Sequence, residues 1–114
     1  MSASARIPPA EALALTALIS TTPHGIASRV LAKSAGGTVT LFAFDTGESL
    51  SEHTAPFDAL VLVLQGALTL TIAGQQVQAL PGTIVRMPAG VPHSVDARQA
   101  SRMLLIMLRE GATG

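Results

Sequence analysis

The chain has no cysteine, no tryptophan and no tyrosine, and only three phenylalanines. The missing cysteine excludes disulfides, zinc–thiolate sites and thiol nucleophiles. Without indole or phenol rings, the interior has no platform of that kind on which to stack a sugar or a nucleobase. Charge is scarce as well: 12% of residues are charged, about half the usual share. Seven basic and seven acidic residues cancel, and neither sign forms a block. Nucleic acid as a partner is therefore not expected, since no basic stripe exists to neutralise phosphates. No apolar run approaches the roughly eighteen residues of a membrane span. Residues 12–19 are apolar except for Thr16, but Pro8, Pro9 and Glu11 break their approach and a single Arg6 precedes them. That is a poor signal peptide, and the expected location is the cytoplasm with no membrane association. There are no internal repeats, no phosphate loop, no Ser-His-Asp order and no paired catalytic carboxylates.

What is present fits one domain of 114 residues, 48% of them apolar, enough to build one core. So apolar a surface, with so little charge, points to a homodimer that hides part of it. Residues 1–25 read as an N-terminal arm, helical or irregular, with Pro9 at an early helix position and residues 20–25 as turn chemistry. Residues 26–114 read as the barrel. There, short apolar runs are cut by glycine and proline every eight to twelve residues or so, the pattern of an all-β sandwich or barrel. The expected strands cover 26–33, 38–45, 50–53, 59–65, 67–73, 75–80, 83–87, 91–95 and 102–109. Leu60–Leu64 and Met103–Leu108 are apolar without alternation. Such strands are covered on both faces, by the barrel interior on one side and by the arm or a second copy on the other.

Two segments carry the chemistry. The first holds Gly47, His53, Ala55, Pro56, Phe57, Asp58, Ala59 and Gly66; the second holds Gly82, Arg86, Met87, Pro88, Gly90 and His93. His53, Ala55 and Ala59 share parity, so on an extended chain they point to one face. Pro88 and Gly90 make a bend that aims His93. The second segment, Gly82-x5-Pro88-x-Gly90-x2-His93, matches the second motif of the cupin family without adjusted gaps, a chance event on the order of one in a thousand. The first segment resembles that family's first motif at Gly47, His53 and Gly66. The resemblance spans roughly residues 26–109 and implies a double-stranded β-helix. It also implies a divalent metal (zinc, nickel, iron or manganese) inside the barrel, held by three histidines and a glutamate. This chain departs from that set. Ala55 stands at the second histidine, Ala59 at the glutamate, and Ala97 at the motif's final asparagine. Of the four ligands only His53 and His93 remain, fewer than firmly held catalytic metals use.

Two readings of His53 and His93 stand side by side: a weak metal site, or polar residues lining a metal-free cavity. Phe57, Asp58, Arg86 and Met87 are the candidate pocket residues around them. Asp58 is the nearest spare carboxylate, and a bulge at Pro56 would turn it inward; otherwise it caps a turn. Arg86 would anchor a carboxylate if it faced the interior. Met87, Met103 and Met107 serve as filler, or favour an apolar ligand if they line a pocket. No residue is singled out as catalytic. The expected function is small-molecule binding, with a loosely held metal or none. The alternative is a metal-dependent dioxygenase or isomerase in which the substrate completes the coordination, and a mainly structural partner protein is a third.

Overall fold

The computed structural model describes residues 6–109. Nine strands form: β1 (Ile26–Ser34), β2 (Gly37–Phe44), β3 (Ser49–His53), β4 (Asp58–Gln65), β5 (Leu68–Ile72), β6 (Gln75–Ala79), β7 (Ile84–Met87), β8 (His93–Ala97) and β9 (Ser101–Leu108). Every expected strand is present, with ends shifted by one or two residues. Two of these shifts fall at turn residues: Ala73, at positive φ, belongs to the β5–β6 turn, and Val91 to the bend before β8. Among the described residues, the stretch expected as a helical or irregular opening is irregular, with a 3-10 turn at Leu15–Ala17. Ala10 takes a positive φ of 61° and Ala14 is extended, so no helix propagates from Pro9.

The strands make two antiparallel sheets: a large one in the order β1-β2-β9-β4-β7, and a small one in the order β3-β8-β5-β6. Their facing surfaces alternate as the pleat requires. Ala59, Val61 and Val63 from β4 meet Leu68, Leu70, Val95 and Ala97 from the small sheet, with Phe44 and Met103 beside them, all buried. Gly66 shows how tightly the chain turns between β4 and β5. It sits at φ 83°, and a Cβ there would overlap the Ser101 hydroxyl and the Ala100 carbonyl oxygen.

The outer face of the large sheet is covered unevenly. Leu41 and Ala43 point away from the barrel core yet are fully buried. The arm lies over that side: Arg29 donates to the Leu18 carbonyl and Arg102 to the Ile19 carbonyl. Further back, the Ile7 amide donates to the Leu31 carbonyl at a bulge in β1. On the other side of the same face Leu60, Leu62, Leu104 and Ile106 are only half-buried, and Ile84 and Leu108 are exposed. The two-sided apolar strands thus have the arm over part of their outer face, and an apolar surface continues beyond it.

Candidate functional site

A cavity of about 50 Å³ lies between the two sheets. The small sheet contributes Leu50 and His53 from β3 and His93 and Val95 from β8; the large sheet contributes Ala59, Met87, Met103, Leu105 and Met107; Ala55 comes from the loop between them. His53 and His93 are direct cross-strand partners in the β3–β8 ladder, and paired residues project to the same face. Their rings meet edge to face with centroids 4.4 Å apart. His93 is buried and His53 exposed, so the pair runs from the mouth of the cavity to its interior.

The juxtaposition depends on an irregularity. Leu50 pairs with Val95, and the next pair is His53 with His93, so β3 carries one extra residue between them. Without this bulge, strict alternation would set Glu52 opposite His93. The extra residue turns the carboxylate away and brings the imidazole in.

Each ring is oriented by the same local device. His53 Nδ1 lies 2.9 Å from the Ser51 carbonyl oxygen, and His93 Nδ1 lies 3.1 Å from that of Val91, in each case two residues back. A carbonyl can only accept, so Nδ1 is the protonated nitrogen in both rings. In the neutral ring it is then Nε2 that carries the lone pair, the nitrogen able to accept a proton from a ligand or to bind a metal.

The bend before His93 is fastened to the first segment. The Gly90 amide donates to the Ala55 carbonyl (2.8 Å), and the Ala89 amide to Asp58 Oδ1 (2.9 Å). Gly90 itself has φ 73°, a conformation that favours glycine. Asp58 also accepts from Arg86 Nη1 at 2.9 Å. The Ala89 amide first, and the Arg86 guanidinium beside it, hold the Asp58 carboxyl below its ordinary pKa.

Of the sequence-derived candidates, the structure brings His53, His93 and Met87 together with Ala55 and Ala59. It does not bring Phe57, Asp58 or Arg86 into the cavity. β4 keeps regular pairing from Asp58 to Val63, so no bulge turns that carboxylate inward; it clasps the bend instead. Arg86, opposite Leu60, lies on the outer face. Phe57 and Asp58 line a separate groove of about 200 Å³, where the Arg109 guanidinium sits 5.1 Å from the Phe57 ring centre. Leu50, Val95, Met103, Leu105 and Met107 complete the cavity wall, and of these the sequence singles out only Met103 and Met107. Their shared parity on β9 was the available signal.

Among the described residues, no group of three or more His, Cys, Asp or Glu side chains converges, and no helix is long and apolar enough to cross a membrane. The donors lining the cavity are two imidazoles and thioethers, without a carboxylate. That set does not fit the divalent ion, held by three histidines and a glutamate, which the family pattern implies.

Comparison with known proteins places this architecture. The family model described as Cupin domain matches residues 40–108. A conserved protein of unknown function from Streptococcus pyogenes superposes with a TM-score of 0.87 at 32% identity, over 93% of each chain. A cupin superfamily protein from Desulfitobacterium hafniense gives 0.85 at 32% identity, over 91% of this chain and 95% of its own. KdgF from a Halomonas species shares the fold, with a TM-score of 0.70 at 22% identity, over 79% of this chain and 84% of its own. No curated protein matches the chain. With both motifs in register, the two-sheet barrel around them and a family model that matches more than half of the sequence, the chain belongs to the cupin family.

Proposed function

We propose that this chain is a binding cupin that holds a compact ligand between its sheets, against Nε2 of His53 and His93. The observation that carries the reading is the matched pair of imidazoles. Both are tied through Nδ1 to a backbone carbonyl, which leaves Nε2 as the free ring nitrogen, and both rings line one largely apolar cavity. At about 50 Å³ the cavity is far smaller than the roughly 300–1,000 Å³ of drug-sized sites, so the occupant is an ion or a molecule of few atoms. Binding is favoured over the dioxygenase or isomerase reading because, among the described residues, no carboxylate or third metal-ligand group joins the two histidines at the cavity. A divalent metal such as zinc or nickel would be held weakly, with most of its shell left to water. We further infer a homodimer, in which a second copy covers the apolar outer face around Leu60, Leu62, Ile84, Leu104 and Ile106.

Zinc titrations by calorimetry test the site. Wild type should bind weakly, and the double variant His53→Gln, His93→Gln should lose that binding. Ala55→His with Ala59→Glu should gain about tenfold or more in affinity by completing the ligand set. Overpacking in the double-alanine variant costs roughly 1–3 kcal/mol, so its fold is checked by circular dichroism. A folded variant without the gain would show that the alanines do not face the histidines. Tight, stoichiometric zinc in wild type would contradict the weak-site reading and favour the metal-dependent enzyme.

A further inference from the structure

Three of the chain's four methionines, Met87, Met103 and Met107, line the same cavity as the two histidines. They come from two strands of the large sheet, β7 and β9, which face the strands that carry the histidines. We propose that the cavity is a site for a soft monovalent cation, copper(I), bound by Nε2 of His53 and His93 together with methionine thioethers.

The first argument is ligand softness. Thioether sulfur prefers soft ions such as copper(I), whereas zinc, iron and manganese sites recruit carboxylate or more imidazole. The second is charge. Apart from the two histidines every residue lining the cavity is apolar, and none carries a carboxylate, ammonium or guanidinium group. The Born cost of desolvating an ion grows with the square of its charge, so a divalent ion faces about four times the penalty of a monovalent one of similar size. No carboxylate is present in the cavity to offset that difference.

The third argument is geometric. Metal–nitrogen bonds of about 2 Å would set two imidazole centroids roughly 6 Å apart if they bound one ion in a line. The observed 4.4 Å instead suits a bent arrangement, with both rings on one side of the ion. A bent pair leaves coordination positions on the opposite side, toward the large sheet and its methionines. Size agrees, since a bare ion fits a cavity of about 50 Å³ that excludes most organic ligands. The exposed His53 at the mouth provides a first point of capture.

This inference rests on the binding reading of the His53–His93 cavity, and the experiment separates the two. Copper(I) is titrated anaerobically into the purified protein, without a histidine tag, against a chromophoric copper(I) chelator. Zinc is titrated in parallel. Wild type should bind one copper(I) per chain and hold it at least about a hundredfold more tightly than zinc. The triple variant Met87→Leu, Met103→Leu, Met107→Leu replaces each thioether by a hydrocarbon of similar volume, a swap cores usually tolerate. It should weaken copper(I) by about tenfold or more while leaving zinc binding unchanged. The double variant His53→Gln, His93→Gln should lose both metals.

Equal copper(I) affinity in the triple variant and in wild type would overturn the thioether site and leave the two-histidine reading intact. Unchanged binding of both metals in the double histidine variant would overturn both readings. X-ray absorption of copper(I)-loaded wild type gives an answer that needs no variant. Sulfur beside nitrogen around the copper supports the proposal, and nitrogen alone overturns it.

Discussion

Asp58 is held by two contacts, the Ala89 amide and the Arg86 guanidinium, both in the segment that carries the bend before His93. Neither contact was legible in the sequence, because its partners lie about thirty residues further along the chain and no local pattern announces them. The histidines were legible because their spacing belongs to a motif, and Met103 and Met107 were only half legible. Parity on β9 groups them, but whether they line a cavity or fill a core depends on the register of β9 against β4. The Asp58 contacts carry a pH prediction. The folded pKa is depressed, so the stabilisation is complete above the unfolded value of about 3.9. It is lost as pH falls below that value through the folded one, because the unfolded state then binds more protons. Asp45 acts in the same sense, its carboxyl lowered by the amides of His24 and Thr46. Thermal unfolding from about pH 6 to about pH 2 should therefore show a shallower acid limb in Asp58→Asn than in wild type. An unchanged limb would mean that the clasp does not stabilise the fold.

At the scale of elements, the nine strands follow from turn residues and from apolar runs of the right length, so their existence was readable and their ends nearly so. Two features were not. The bulge in β3 chooses His53 over Glu52 to face His93, and no turn residue or change of composition marks it. It follows from pairing with β8, a long-range choice. The arm was read as helical or irregular, and its last turns answer to tertiary contacts rather than to helix propensity. Arg102 links it to the sheet by donating to the Ile19 carbonyl, and it also contacts the Gln65 side chain on β4. Arg102→Ala should cost about 1–2 kcal/mol, the worth of hydrogen bonds from a charged donor in a half-buried setting. It should also speed amide exchange in the arm, including at Ile7, which bonds to Leu31. Exchange that stays at the wild-type rate would show that Arg102 does not fasten the arm.

For the whole molecule, the scarcity of charge and the two-sided apolar strands foretold a surface larger than one chain covers. Leu41 and Ala43 are buried on the side to which the arm is hydrogen-bonded, while Ile84 remains 55% exposed beside half-buried leucines. A closed two-fold dimer is the usual way to remove such a patch from water. Light scattering at micromolar concentration should give about twice the mass of one chain, and Ile84→Lys, a change at an exposed position, should shift the protein toward monomer. Wild type that scatters as a monomer would remove the dimer. The central claim concerns the interior, that His53 and His93 present Nε2 to one shared cavity and bind through it. Nitrogen-15 spectra of the imidazole rings, recorded on wild type as zinc is added in excess, test it without any mutation. His24 serves as the internal control, since it lies in an exposed turn whose amide bonds to Asp45. The account predicts that Nε2 of His53 and His93 shift together while both Nδ1 stay protonated and His24 is unmoved. Shifts at only one of the two rings, or at His24 alone, would contradict it.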